Sequence, residues 1–370
     1  MALALELVTT VDAFERLRPA WNELVDRMAF PEIFYRWEWS FLFFRHCRPD
    51  DELFIVVARD SPDGPIAAIA PLCIRRARSF GIAVKVAETI VAGLADYQNI
   101  LIRAGIHRGR AVDEVLAFLA DRAERWDVLD LQQFCSRDPT TFQLVNAAQA
   151  HHDWTVRTNI LTPVAVRDLR PGHATEDAGR LRRIRSRLAA LRARGVDVRI
   201  GCEDFGAHWP TFRALHVSTW PGSPLGRDRE GKFFDALVAS EGMRAHLDLS
   251  LVLLDGRIAA GHFGFVDDRK AYYYMPARDR SFRNERVGAA LLFALVEHHA
   301  QSRTWFDFMR TLGRYKSWYT DTIDVNFRIV IHGSSSVRAL AYGLSDVTRR
   351  FLVELGLPRA LLRRLGRGRS

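Results

Sequence analysis

Cysteine is scarce in this chain. Its four copies, Cys47, Cys73, Cys135 and Cys202, lie far apart, with no C-x-x-C pair among 370 residues. That spacing excludes a disulfide framework and a cysteine-built zinc site, and no metal is expected. Long apolar runs are missing too. The longest, such as GAALLFALV at 288–296, stay far below the roughly 20 residues that a bilayer crossing needs. No charged segment leads into an apolar core at the N-terminus, so no secretory leader is read there and a cytoplasmic protein is expected. Positive charge is local rather than general. The net charge is +9, yet residues 338–370 alone hold eight arginines against Asp346 and Glu354. The rest of the chain is close to neutral, which argues against nucleic acid as the partner.

What is present is enough apolar sequence, 48%, to build two domains of ordinary size. The first part reads as a helix near 11–28, an aromatic helix near 35–47, and the apolar strands LFIVVARD, PIAAIAPLCI and VAETIVA. A helix near 111–125 and the strand WDVLDLQQF follow. The second part opens on the helix RLRRIRSRLAALRARG, stopped by Gly195, and continues through the strand VDVRI and helices near 204–219 and 229–241. Three antiparallel strands come next, turning at Asp255-Gly256 and Asp267-Asp268. A helix, a strand, a short helix opening at Tyr315 and the strand NFRIVI are expected to complete the unit. The order of elements repeats, and PIAAIAPL resembles RIAAGHFGF. A duplicated α+β domain explains this most economically.

Chemistry is concentrated in RSFRNERVGAALLFALV (280–296), where arginines crowd a strand end and a small-residue helix start follows. Free backbone N–H groups and the helix dipole attract anions, and small residues let a phosphate approach closely. Arg283 and Arg286 add fork-shaped cationic donors.

The stretch from Arg283 to Gly288 resembles the Arg-x-x-Gly-x-Gly pyrophosphate loop of GNAT acyltransferases, with Arg286 standing where the first glycine is usual. The second half is further similar to the CelD-type GNAT-like proteins. Phe306-Asp307-Phe308, Arg310, Tyr315-Lys316 and Trp318 or Tyr319 match that family's ending, while Thr311 and Leu312 replace its Gly-Asp. LHVSTWPGS (215–223) resembles the family's tryptophan loop. The resemblance implies two tandem GNAT-like domains, each a mixed, mostly antiparallel sheet flanked by helices, at 1–166 and 167–335. Apart from the resemblance, residues 336–370 pair leucines with arginines as a basic amphipathic tail, which reads either as a helix touching an anionic membrane peripherally or, more plainly, as a solvated or packed C-terminal helix. The resemblance also implies acetyl-CoA or another acyl-CoA as co-substrate, held by Arg283, Arg286, Val287, Gly288 and Ala289. Met275 and Ala277 of AYYYMPA would lie along the pantetheine arm.

The implied reaction moves an acyl group to an amine or hydroxyl of a sugar, a polysaccharide precursor or a small metabolite. Tyr315 takes the place of the family's general acid. Asp307 and His262 are the candidates for a proton acceptor, against the plainer readings of a partner for Arg310 and a core histidine. Trp220, Arg310 and Lys316 are candidates for the acceptor side. Two alternatives stay open: a Fem-type transferase fed by aminoacyl-tRNA, and a non-catalytic binding protein in polysaccharide synthesis.

Overall fold

The structure is a computed structural model that describes residues 2–173, 177–202, 204–333 and 336–354. In chain order the elements begin with β1 (Ala4–Val8), α1 (Val11–Arg16), α2 (Arg18–Asp26), α3 (Trp37–Cys47), β2 (Glu52–Arg59) and β3 (Ile66–Ser79). Then come β4 (Ile82–Thr89), β5 (Leu101–Ile102), α4 (Arg108–Ala120), β6 (Val128–Cys135), α5 (Pro139–Ala150) and β7 (Trp154–Asp168). The middle of the chain forms α6 (Ala178–Ala193), β8 (Asp197–Arg199), α7 (Phe205–Thr219), α8 (Asp228–Ala239), α9 (Glu241–Arg244), β9 (Leu247–Leu254) and β10 (Arg257–Val266). Last are β11 (Lys270–Arg278), α10 (Val287–His299), β12 (Trp305–Arg310), β13 (Ile323–Gly333) and α11 (Val337–Glu354).

Two compact units result, Met1–Leu161 together with the segment from Asn326 onward, and Thr162–Val325. The first orders its strands β1-β2-β3-β4-β6-β13, with β5 against β3. All of these pairs are antiparallel except β4 with β6. Its core joins Phe54, Val56, Leu129 and Leu131 of the sheet to Val112, Val115 and Leu119 on one face of α4. The strand NFRIVI, expected to close the second unit, instead pairs with β6 of the first, Asn326 opposite Cys135 and Val330 opposite Asp130. The division therefore falls near 161 and 326 rather than at 166 and 335. A buried Arg328 grips Asp130 through two bonds of 2.7 Å and reaches Asp346 of α11 at 2.7 and 2.8 Å.

The second unit runs β7-β12-β11-β10-β9-β8. Local sequence accounts for its boundaries. Asp177 caps α6 by accepting the Arg180 N–H at 2.8 Å, and Gly195, at φ +78°, ends it. Asp255 and Gly256 both adopt positive φ, 49° and 74°, which makes the expected tight turn between β9 and β10. Successive residues of a strand face opposite ways. Ala260 accordingly packs with Leu188, Leu191 and Leu295 of α6 and α10, while Gly261 and Phe263 meet Phe212 of α7 on the other side.

Candidate active site

β11 pairs with β12 in parallel at only three positions, Lys270 with Trp305, Ala271 with Phe306 and Tyr272 with Asp307. Beyond Tyr272 it continues beside β10 alone, up to Arg278 opposite Ala260. The two strands splay. At the end of β11 a six-residue 3₁₀ segment, Arg280–Glu285, leads into α10. Asp279 fixes this corner by accepting the Ser281 N–H and hydroxyl at 2.8 and 2.7 Å, and those bonds hold its carboxyl below the usual range. Between corner and helix lies a pocket of about 570 Å³ lined by Arg278, Arg280, Arg283 and Arg286, with Val287, Gly288 and Ala289 as its helical wall.

This wall suits a phosphate. No side chain caps α10, so its first N–H groups face the pocket without a competing acceptor from a side chain. A Cβ built on Gly288 would meet no atom within 4 Å. Protein packing therefore does not require glycine there, whereas a ligand lying against the helix would. Arg286 sits at φ 50°, ψ 37°, the left-handed conformation in which glycine is ordinarily preferred. The loop thus keeps the backbone path of a glycine while adding a guanidinium.

A second left-handed segment follows β12. Met309 and Thr311 have φ of 61° and 74°, and the register with β7 slips between Asp307 and Arg310. Asp307 is fully buried, accepts the Met309 N–H at 2.8 Å and lies 3.6 Å from the Lys270 ammonium. Lys316, 3% exposed, donates to the carbonyls of Met309, Arg310 and Thr311 at 2.9, 2.8 and 2.7 Å. The helix expected to open at Tyr315 is only a 3₁₀ turn, Lys316–Trp318. Its lysine is turned back onto the preceding loop instead of pointing along a helix surface.

Tyr315 is half-buried at the splay, its ring edge-on to Tyr273 of β11 with centroids 6.5 Å apart. Burial pushes its phenol up to about 12, so it stays protonated through the neutral range. Tyr319 lies beside Phe308, and its buried hydroxyl has no hydrogen-bond partner among the described residues.

Residues 178–317, the span holding the arginine pocket, the splay and Tyr315, match the family model described as "Acetyltransferase (GNAT) domain". This part of the chain is similar to a GNAT acetyltransferase domain. The solved structures agree on the fold. FemX aligns at a TM-score of 0.58 with 10% identity over 88% of this chain and 96% of that one. L-PGS from Bacillus licheniformis aligns at 0.53 with 12% identity over 88% and 94%, and a conserved protein of unknown function from Bacteroides thetaiotaomicron at 0.51 with 9% over 89% and 100%. No curated protein matches the chain in sequence. The chain has the GNAT fold.

Within residues 178–317 the residues singled out from sequence do not all converge on one place. Arg283, Arg286, Val287, Gly288 and Ala289 converge on one pocket. Met275 and Ala277 are buried on β11 but do not line it. Asp307, Lys316 and the backbone of Arg310 belong to the bulge. The Asp307 carboxylate accepts the Met309 N–H and lies beside the Lys270 ammonium, and neither it nor Lys316 is presented to a cleft. His262 is 2% exposed, stacked on Tyr273 at 4.6 Å, with its Nε2 accepting the Tyr274 N–H at 3.2 Å. Burial pushes it down to about 4, so it is a neutral acceptor that pins β11 where its register with β10 shifts.

Trp220 lies at the second unit's surface and donates its indole N–H to the Pro276 carbonyl at 2.8 Å. Its neighbour Thr219 gives its hydroxyl to the Arg278 carbonyl and receives the Arg278 N–H. Part of the β11 backbone expected to be free for a pantetheine arm is therefore held by the chain's own loop. Arg278 and Arg280 also line the arginine pocket, and their signal lies in the sequence, where four arginines occur in the nine residues 278–286.

Both places where this sequence departs from a family glycine, Arg286 and Thr311, are left-handed. Thr311→Gly is expected to raise stability by about 1 kcal/mol, the relief of a β-branched residue at positive φ less the greater freedom of glycine in the unfolded chain. Arg286→Gly should gain less and lose affinity for coenzyme A. Urea melts and coenzyme A titrations of the two variants check this, and equal affinity losses in both would contradict it.

Proposed function

We propose that the chain transfers an acyl group, acetyl in the simplest case, from coenzyme A to an amine or hydroxyl of a small-molecule or glycan acceptor. The observation that carries this reading is the pocket of four arginines at the uncapped start of α10, with open space at Gly288. A diphosphate is the ligand that uses all of these features together, because helix N–H groups and guanidinium forks both favour multiply charged oxygens. Bound there, coenzyme A supplies an activated thioester. Tyr315 holds a proton at its hydroxyl beside the splay and is assigned to donate it to the departing thiolate. Tyr273 orients Tyr315 through their edge-on contact.

The test is calorimetric titration of coenzyme A against the wild type and Gly288→Glu. A glutamate at this position meets no protein atom at its Cβ, so the melting temperature should hold, while its charge and bulk oppose a phosphate. Binding is expected to weaken by at least about tenfold, which is the 1.4 kcal/mol a single opposing charge readily supplies. Undiminished binding in Gly288→Glu would sink the assignment of the pocket.

A second reading is favoured by one further observation. Arg180, Arg183 and Arg187 of α6, with Arg194 at its C-terminal cap, lie along one helical stripe and face a groove of about 940 Å³ whose opposite wall includes Arg286 and Trp318. Such a groove suits a longer phosphate chain, as an aminoacyl-tRNA donor would provide. If tRNA binds at moderate salt and displaces no coenzyme A, or coenzyme A fails to bind at all, the donor is the tRNA.

A further inference from the structure

The groove between α6 and the first turn of α10 begins where the arginine pocket ends, since Arg286 and Ala289 line both. It sets Arg180, Arg182, Arg183, Arg187, Arg194 and Arg286 against one carboxylate, Glu285. A solvated helix face usually mixes its charges. α6 does not: residues 178–194 hold seven arginines and no acid. Arg183 and Arg187 stand four apart, within an arc of about 40° on the helix, and like charges so placed weaken it. Other arginines of α6 already have partners. Arg185 pairs with Glu297 at 3.0 Å, and Arg180 pairs with Asp177 at 3.1 Å and covers the Trp318 ring. Arg187 reaches across to the loop before α10 and donates to the Asn284 carbonyl at 3.3 Å. Arg183 has no acidic partner among the described residues.

The chemistry of the ligand assigned to the neighbouring pocket indicates the occupant. Besides its diphosphate, coenzyme A carries a phosphate monoester at the 3′ position of the adjoining ribose, with about two negative charges at neutral pH. When the diphosphate lies at the start of α10, this monoester is a few bonds away, and α6 is the cationic wall next to that point. The other parts of the reaction do not suit the groove. The pantetheine arm is uncharged, and an acceptor must meet the thioester at the splay, whereas Tyr273, Met275 and Tyr315 do not line the groove.

We propose that the α6 groove is the subsite for the ribose 3′-phosphate of coenzyme A, held by Arg183 and Arg187, and that it makes the chain prefer coenzyme A to dephospho-coenzyme A. The inference rests on the coenzyme reading of the arginine pocket and adds the residues that tell the two coenzymes apart. A dianion between Arg183 and Arg187 converts a like-charge pair that opposes the helix into two charge-assisted hydrogen bonds. It also ties α6 to the loop that Arg187 already touches.

The experiment is calorimetric titration of the full chain with coenzyme A and with dephospho-coenzyme A at one fixed salt concentration, for the wild type, the double variant Arg183→Ala, Arg187→Ala, and the control Arg185→Ala. Alanine is the best helix former and removes the like-charge pair, so the double variant should keep its melting temperature. The wild type is expected to bind dephospho-coenzyme A at least about tenfold more weakly than coenzyme A. In the double variant that preference should shrink to within about twofold, through loss of coenzyme A affinity and not through gain for the dephospho form. Arg185→Ala breaks an exposed pair outside the groove and should keep the full preference. Equal affinity of the wild type for both compounds overturns the inference and leaves the diphosphate pocket standing. A preference that the double variant retains in full overturns it too. Binding of neither compound by the wild type removes the coenzyme reading and this subsite with it. Loss of tRNA binding in the double variant, with the coenzyme preference unchanged, assigns the groove to tRNA instead.

Discussion

Replacing Tyr315 by phenylalanine is expected to lower kcat by about 10²- to 10⁴-fold, the usual contribution of a positioned general acid, and to leave coenzyme A affinity unchanged. The change removes one oxygen from a half-buried ring that packs against Tyr273 and Phe306's cluster, so the packing survives and the loss reports chemistry. Affinity should survive because Tyr315 does not line the arginine pocket. Thiol release from acetyl-CoA, followed with a panel of amino and hydroxyl sugars, gives the rate. A variant within roughly threefold of the wild type would reduce Tyr315 to a packing residue.

The pH dependence carries its own sign. Burial raises the Tyr315 phenol from 10.0 to about 12, so the acid keeps its proton across the range where an exposed tyrosine would lose it. The rate should therefore not fall at pH 10. Stability behaves differently there. Tyr35, Tyr273, Tyr319 and Tyr342 are also raised by burial, so the folded chain retains protons that the unfolded chain releases. Their contribution is complete below pH 10 and is lost as pH rises above it. Neutral pH is accordingly where the Tyr315→Phe comparison is cleanest.

The arginine pocket was readable in advance because its physics is local. Cationic side chains, a strand end and a small-residue helix start all lie within seventeen consecutive residues, and the helix follows directly. The hairpin turn at Asp255-Gly256 was readable for the same reason. The partner of NFRIVI was not, since an apolar strand pairs as well with one sheet edge as another, and the choice depends on Arg328 meeting Asp130, 198 residues away. The choice between the two readings of His262 was not legible, since its stacking on Tyr273 is a matter of facing rather than composition. The Tyr-Lys pair was read as a helix start from its residues. The actual turn is dictated by three carbonyls of a strained loop five to seven residues earlier, and no periodicity announces them.

That loop supports the largest expected effect on stability. Lys316→Met should cost about 2–4 kcal/mol, because the carbonyls of Met309, Arg310 and Thr311 lose a charged donor that they share. For a unit of this size that is roughly 5–12 °C in melting temperature. Methionine is an unbranched side chain of similar length, so the loss measures the ammonium more than a cavity. The catalytic consequence separates two roles for the lysine. If Lys316 acts only by shaping the loop, kcat falls because Tyr315, its immediate neighbour, is displaced, and added propylamine restores neither rate nor stability. The pairing of Lys316→Met with Thr311→Gly is diagnostic. Glycine accepts φ of 74° without help, so the double variant should recover part of both stability and rate. Full additivity of the two changes would mean that the lysine does not hold the left-handed segment in place, and that the carboxylate of Asp307 alone shapes the end of β12.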